Sequence, residues 1–184
     1  EIAAGGGVFS FAINPADGSL TFLNSLPSMG SMPTMVAVDD TGKMLLASNH
    51  GSAAVVTRVA KRDGVPVIDK TYDDSTLSLY PINADGSIAA ATDVAILDRV
   101  GGVPGMRFQE SPHAHAVVFD PTNRRVLVAD KGANRVYSYL VNKEQKRFEE
   151  AKHLELAPGV MPRHVAFHPR APYAFISNEG EASL

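Results

Sequence analysis

The sequence contains no cysteine, which excludes a disulfide framework, a thiolate metal site and a cysteine nucleophile. It also lacks any apolar run close to the ~18 residues that a membrane-spanning helix needs. No lysine- or arginine-rich stretch suggests an anionic membrane. The formal net charge of −3 gives no electrostatic reason to expect nucleic acid. We therefore expect neither membrane nor nucleic acid among the partners.

Two catalytic motifs are absent as well. The sequence has no Gly-x-Ser-x-Gly nucleophile elbow and no glycine-rich phosphate loop, which argues against a serine hydrolase of that type and against nucleotide binding. The hydrophobic fraction of 45% and the charged fraction of 20% are those of a soluble globular fold. The first residue is Glu1, not Met, so a preceding segment or signal peptide is not excluded. Localisation stays unknown, with the cytoplasm as the default assumption.

What the sequence does contain is a repeat. Residues 111–121 resemble residues 159–169, with Phe119 matching Phe167 at an offset of 48. A third copy begins near Thr34, 81 residues upstream of the first. A second unit recurs between these copies and carries Asp-Gly pairs at Asp17 and Asp85. Asp-Gly between apolar runs is typical of a tight hairpin turn.

Together the two units predict four short strands in about 48 residues, which is the size of a propeller blade. In the best-defined copy we expect these strands at Ala116–Phe119, Val126–Ala129, Arg135–Val141 and Phe148–Leu156. The predicted fold class is therefore all-β, a β-propeller of four-stranded antiparallel blades. A β-sandwich is the alternative, but sandwiches have no reason to repeat at a fixed offset.

The repeats divide residues 1–184 into about three blades of an incomplete propeller. The predicted parts are an outer hairpin (1–30), a second blade with an insertion (31–110), a third blade (111–158) and the first two strands of a fourth (159–184). We expect the insertion, 60–76, to be a surface loop or an added hairpin, and 97–110 to be an ordered loop. Because propellers close into a ring, we expect further blades of the same protein, or another chain, to complete it.

Six positions at the ends of the inner strands are expected to open onto one mouth of the channel. Adjacent antiparallel strands bring the start of one beside the end of the next. The strand residues around these positions are repeated from copy to copy, whereas the six positions themselves differ. This pattern is typical of a repeated scaffold that carries a functional site at its strand ends. The rule places Thr34 beside His50, His115 beside Lys131 and Arg163 beside Glu179.

Two simpler readings remain open for these residues. His113 and His115 form a His-x-His pair whose rings would point the same way on a strand, as zinc sites often require. No third ligand stands at a suggestive spacing, so we predict no metal. Arg163 and Glu179 could form an ion pair that only joins two strands.

The motifs resemble those of the seven-bladed β-propeller lactonase family, which includes propeller-type 6-phosphogluconolactonases and carboxy-muconate cyclases. The motifs are Pro112-His-Ala-His115, Asp130-Lys-Gly-Ala-Asn-Arg-Val136, Pro162-Arg-His164 and Asn178-Glu179. The resemblance implies seven blades and a cofactor-free site built around His115, Arg163 and Glu179. Members of the family often have Arg-Gln ahead of the Pro-His-Ala-His motif, whereas this sequence has Arg107-Phe108-Gln109. Substrate contacts are further expected from His113, His164, Gln109, Arg107 and Lys131.

The leading functional prediction is a lactonase that hydrolyses a sugar-acid lactone, 6-phosphogluconolactone first of all. His115 would act as general base on water. Arg163 would bind a substrate anion or the oxyanion, and Glu179 would fix Arg163 or the tautomer of His115. One alternative is a carboxy-muconate-type lactone cycloisomerase using the same residues. The other is a propeller that serves as a non-catalytic binding platform.

Overall fold

The protein is a set of antiparallel β-sheets joined by turns and loops. The computed structural model describes residues 5–180, and no helix occurs in that range. Accordingly, nothing helical in the described range could cross a membrane. The fourteen strands are β1 (Gly7–Ile13), β2 (Leu20–Pro27), β3 (Pro33–Val38), β4 (Met44–Asn49), β5 (Val55–Arg62), β6 (Val65–Tyr72), β7 (Thr76–Pro81), β8 (Asp93–Ile96), β9 (Ala114–Phe119), β10 (Arg125–Asp130), β11 (Arg135–Asn142), β12 (Arg147–Glu155), β13 (Pro162–Phe167) and β14 (Ala174–Asn178).

The strands form two four-stranded blades and three hairpins. One blade has the order β3-β4-β7-β8 and the other β9-β10-β11-β12. The pairs β1-β2, β13-β14 and β5-β6 are separate two-stranded sheets. The prediction of four-stranded antiparallel blades is thus confirmed. The predicted last strand of the second full blade is one residue out at each end, since β12 covers Arg147–Glu155.

The inner strands begin at matching positions of the repeat. β3 starts at Pro33, β9 at Ala114 and β13 at Pro162, which reproduces the offsets of 81 and 48. β3 contacts β9, and β9 contacts β13. The three inner strands therefore follow one another around a common axis, and equivalent residues of each face the same end.

Packing between blades explains why some strands lack polar alternation. Every residue of β4 is buried. Met44 and Leu46 pack in the core against the next blade, while Leu45 and Ala47 pack in a second core against the first hairpin. A strand that is covered on both faces is mostly apolar, whereas a strand with one solvent-exposed face alternates apolar and polar residues.

Turns follow the sequence signals. Gly18 and Gly86, the second residues of the two Asp-Gly pairs, have φ of 74° and 85°, the left-handed region that glycine adopts freely. Gly132 is required for a different reason. A Cβ at this position would lie 2.0 Å from the carbonyl oxygen of Ser111, so only glycine allows the loop before β9 to pass this close.

The insertion forms a hairpin of its own. β5 and β6 pair in continuous register from Val55↔Tyr72 to Arg62↔Val65, about five residues earlier than the interval 60–76 taken from the sequence. Residues 97–110 have no strand and are ordered by backbone hydrogen bonds, among them Val103 N to Gln109 O at 3.1 Å. This loop passes over the end of β10 and reaches the site.

Candidate functional site

Each inner hairpin carries a β-bulge at the same position of the repeat. Pairing passes from Ala116↔Ala129 to Ala114↔Asp130, which leaves His115 as the extra residue of β9. The corresponding shifts leave Arg163 unpaired in β13 and Thr34 unpaired in β3. A bulge re-aims a side chain and interrupts the alternation of the strand. Three of the six ring positions inferred from the sequence are therefore bulged residues.

The bulged residues and the ends of the partner strands form one connected network. Arg163 Nε donates to His115 Nε2 at 3.0 Å and lies 3.5 Å from Glu179 Oε2. Lys131 Nζ donates to both carboxylate oxygens of Glu179, at 3.3 and 3.2 Å. The ring of His164 meets that of His115 edge-on, with 5.0 Å between centroids. The structure thus brings His115, Arg163, Glu179, Lys131 and His164 together. We call these five residues the mouth cluster.

The surroundings keep His115 neutral. Burial lowers the pKa of His115 to about 4, and the charge of Arg163, with smaller contributions from His164 and Lys131, acts in the same direction. Because Nε2 accepts the hydrogen bond from Arg163, Nδ1 carries the ring proton. Nδ1 is buried and has no hydrogen-bond partner within residues 5–180. His115 is therefore an unprotonated base at neutral pH.

Glu179 is held in its ionised form. Partial burial raises the pKa of this carboxyl, but the hydrogen bond from Lys131 and the charges of Lys131 and Arg163 outweigh burial and hold the pKa below its usual value. The Lys131 side chain is only 8% exposed, so its charge depends on Glu179 for compensation. The cluster offers two cations, one carboxylate, the neutral imidazole of His115 and the ring of His164.

His113 packs against His50 and Ser111. Its ring stacks on that of His50, with 4.3 Å between centroids. Nδ1 of His113 donates to the backbone oxygen of His50 at 2.8 Å, and Nε2 lies 3.3 Å from Ser111 Oγ. His113 precedes β9, and the His50 ring also lies 6.4 Å from that of His115 between centroids. That both His-x-His rings point the same way stays a prediction. Within residues 5–180 no group of three or more His, Cys, Asp or Glu side chains is arranged to hold a metal.

Two residues predicted to contact substrate are buried beside the cluster. Gln109 is fully buried. Its Nε2 donates to the backbone oxygen of Lys131, and its Oε1 accepts from Asn134 Nδ2 at 2.7 Å. His113, 1% exposed, likewise has both ring nitrogens engaged. Gln109 and His113 use their side-chain polar atoms in hydrogen bonds within the protein. This geometry is that of residues that support the site, because neither keeps a polar atom free for a ligand.

The remaining predicted contacts lie at the surface of the site. Arg107 is exposed, and its guanidinium lies 4.7 Å from the centroid of the Phe108 ring. His164 is exposed beside His115. Within residues 5–180, no hydrogen bond joins Thr34 to His50. Its hydroxyl donates to the backbone oxygen of Ala114 at 3.1 Å and so joins two blades.

Sequence reasoning missed Phe108 as a member of the site. Phe108 contacts the rings of His50 and His113 edge-on, at 5.6 and 5.5 Å between centroids. Lys131 Nζ lies 4.8 Å from its centroid. No sequence signal identifies it, since the contacts arise from a left-handed backbone at Phe108, with φ of 61°.

Cavity size alone would place the functional site elsewhere than at the mouth cluster. A cavity of about 770 Å³ lies by the first hairpin near Gly30 and Thr76. A cavity of about 210 Å³ lies beside the site and is lined by Arg107, Phe108 and His113 among others. We give more weight to the second, because titratable groups with perturbed pKa values converge there.

Comparison with known proteins gives consistent matches over nearly the whole chain. A family model described as "Lactonase, 7-bladed beta-propeller" matches residues 1–184. The 6-phosphogluconolactonase of Bacillus subtilis (strain 168) is 32% identical over 174 residues, which are 95% of this chain and 42% of that protein. The 6-phosphogluconolactonase of Formosa agariphila is 24% identical over 182 residues, 97% of this chain and 45% of that relative.

Among solved structures, the periplasmic gluconolactonase of Pseudomonas aeruginosa matches with a TM-score of 0.74 at 22% identity, over 94% of this chain and 43% of that one. This likeness shows the fold. The chain spans less than half the length of the curated relatives it matches.

Proposed function

Because this chain belongs to the seven-bladed β-propeller lactonase family, we propose that it is part of an enzyme that hydrolyses a sugar-acid lactone, 6-phosphogluconolactone first of all. The relatives named 6-phosphogluconolactonase support this substrate. The observation that carries the proposal is the contact of Arg163 Nε with His115 Nε2 at 3.0 Å, which sets a base and a fixed cation side by side.

The charges of the site favour an anionic substrate. Arg163, Lys131 and Arg107 supply three positive charges at the mouth, and Glu179 pairs with two of them. Glu110, also near Arg107, is engaged by Tyr72 at 2.9 Å. A phosphate or carboxylate on the substrate would compensate the remaining positive charge, and guanidinium groups bind both kinds of anion through paired hydrogen bonds.

The reaction assigns one role to each residue. On substrate binding, Arg163 transfers its Nε hydrogen bond from His115 Nε2 to the substrate, and the freed Nε2 takes a proton from a water whose oxygen attacks the lactone carbonyl carbon. The negative charge that develops on the carbonyl oxygen is stabilised by Arg163. Collapse of the intermediate breaks the ring C–O bond, and the proton returns to the leaving ring oxygen. The products are the hydroxyl and carboxylate of the open acid, and no cofactor is needed.

Substrate binding would make His115 a stronger base. Part of the lowering of its pKa comes from Arg163 and Lys131, so an anion placed against these cations offsets their effect. Glu179 keeps Arg163 and Lys131 in place and touches no reacting atom in this scheme. Arg107 and His164, at the exposed edge, are proposed to contact the distal part of the substrate.

The last part of the proposal concerns closure of the propeller into a ring of blades. Large aromatic side chains are exposed at both ends of the described chain, among them Phe9, Phe11, Tyr173 and Phe175. Exposed apolar surface of this kind marks an interface. We propose that further blades, from the same protein or from another chain, cover it.

The test is turnover of 6-phosphogluconolactone and gluconolactone by the full-length protein in ¹⁸O-labelled water. Hydrolysis places one labelled oxygen in the carboxylate of the product. Isomerisation of a muconate-type lactone, measured in parallel, incorporates none. Turnover with label supports the lactonase. Turnover of the muconate lactone alone indicates the isomerase, and no turnover of any lactone indicates a binding platform.

A further inference from the structure

Lys131 is held at both ends by two consecutive residues of the loop before β9. The Gln109 amide donates to the backbone oxygen of Lys131. The Phe108 ring lies under the ammonium, with 4.8 Å from Nζ to the ring centroid. In an extended chain successive side chains point to opposite sides. At Phe108 the left-handed backbone, φ 61°, breaks this alternation, so both side chains reach the same lysine.

The backbone conformation of Phe108 is unusual enough to need a cause. A bulky aromatic residue at positive φ is an outlier, and such residues persist where the surroundings over-determine them. Here the backbone N–H of Gln109 donates to the backbone oxygen of Met106 at 2.9 Å, and the backbone oxygen of Gln109 accepts from Val103 N at 3.1 Å. The loop is thus locked on both sides of Phe108, with the ring presented to Lys131.

The ammonium that rests on this ring is the one that holds Glu179. Lys131 Nζ donates hydrogen bonds to both oxygens of the Glu179 carboxylate, and Glu179 in turn lies 3.5 Å from Arg163. An ammonium over an aromatic face is stabilised by the ring quadrupole, most strongly where water is excluded. With 8% of its side chain exposed, Lys131 meets that condition.

We propose that Phe108 is a positioning residue of the mouth cluster: its ring fixes the Lys131 ammonium against Glu179, and through Glu179 it sets the place of Arg163 beside His115. Phe108 itself touches no reacting atom. This inference rests on the proposed lactonase function for its kinetic readout, although not for its structural one.

The experiment replaces the ring and keeps the bulk. Phe108→Leu removes the π face, Phe108→Tyr retains it, and Phe148→Leu is the matched control, since Phe148 packs against Tyr139 at 5.6 Å far from the cluster. In the full-length protein, kcat/KM for the lactone should fall about 3–10-fold in Phe108→Leu, from the usual strength of a desolvated cation–π contact. Phe108→Tyr and Phe148→Leu should stay within about twofold.

A second readout separates positioning from general loss of structure. If Lys131 moves away, His115 loses one of the positive charges that lower its pKa, and Glu179 loses the hydrogen bond that lowers its own pKa. The acid limb of kcat/KM should therefore move to higher pH in Phe108→Leu and stay unchanged in both other variants. An unmoved limb, or an equal loss in Phe108→Tyr, overturns the role of the ring.

The two proposals fail in different ways. If the wild type turns over no lactone, the proposed function fails and crystal structures decide about Phe108. In Phe108→Leu the Lys131 Nζ–Glu179 separation should exceed 4 Å. A pair that remains at about 3.2 Å, the wild-type distance, contradicts the inference.

Discussion

Arg163 and His115 stand 48 positions apart in the chain, on neighbouring inner strands, and their side chains meet at 3.0 Å. The spacing of the repeat and the bulge in each strand create this contact. A base whose acceptor nitrogen faces a guanidinium is hard to protonate, because the added proton would meet a fixed positive charge. This contact has measurable consequences for pH dependence.

The first prediction concerns the acid limb of kcat/KM in the wild type. His115 must be unprotonated to act as base, and its pKa of about 4 lies below the ordinary value near 6.5. Activity should therefore remain level from neutral pH down to about pH 5 and fall by half near pH 4. A limb at pH 6–7 would mean that His115 is not held as the structure shows, or is not the base.

Removing the guanidinium should shift this limb. In Arg163→Gln one of the charges that lower the pKa of His115 is gone while the larger effect of burial remains, so the limb should move to higher pH while the plateau rate falls. Arg62→Gln is the control, since Arg62 is an exposed arginine on the β5-β6 hairpin that pairs with Asp69. The control should leave both the limb and the rate unchanged.

Loss of the Glu179 charge should cost stability as well as activity. Glu179→Gln leaves the buried Lys131 without its counter-charge. Pairs of this intermediate burial lie between surface and buried ion pairs, so we expect about 1–3 kcal/mol less free energy of unfolding. Asp69→Asn breaks the exposed pair with Arg62 and should cost below about 1 kcal/mol. Urea unfolding of the full-length variants measures both, and equal effects would show that Lys131 does not depend on Glu179.

Asp130 gives a stability prediction that is independent of catalysis. It is fully buried, and burial raises its pKa to about 6 although three backbone amides donate to it. The folded state therefore holds a proton that the unfolded state has released, and wild-type stability falls as pH rises from about 4 to 6 on account of this residue. Asp130→Asn removes that dependence. Its stability relative to the wild type should grow by about 2–3 kcal/mol between pH 4 and 7.

Asp120→Asn serves as the control for Asp130. Asp120 also caps a turn, but its pKa is lowered: burial, which raises it, is outweighed by hydrogen bonds from Thr122 and from the Arg125 and Arg124 amides. Asp120 therefore titrates below the window in which Asp130 does, and its variant should show no such growth. A flat difference for Asp130→Asn would contradict the proposed cost of its buried charge.

The blades and the ring positions could be predicted because both follow from the repeat. Equal offsets place β3, β9 and β13 in register, and antiparallel pairing brings the end of β10 beside the start of β9. His115, Arg163 and Glu179 were therefore predictable as neighbours. The same rule predicts Lys131 beside His115, whereas Lys131 bonds to Glu179 of the next hairpin, a contact between blades that the rule does not give.

The bulges and the packing between blades could not be predicted. A bulge depends on which backbone hydrogen bonds a ladder forms, and Thr34, His115 and Arg163 share no side-chain property that signals one. His50 stacks on His113 across a separation of 63 residues, through a contact between blades that a single blade does not specify. The bonds of Gln109 to Lys131 and Asn134, which engage both atoms of its side-chain amide, likewise depend on the path of the loop before β9.

The most direct test of the account is His115→Ala in the full-length protein, with His153→Ala as the control for an exposed histidine on β12. The steady-state kcat/KM for 6-phosphogluconolactone should fall about 10²–10⁴-fold in His115→Ala, the usual contribution of a general base, and stay unchanged in His153→Ala. A His115→Ala rate within about threefold of the wild type, well outside that range, would contradict the assignment.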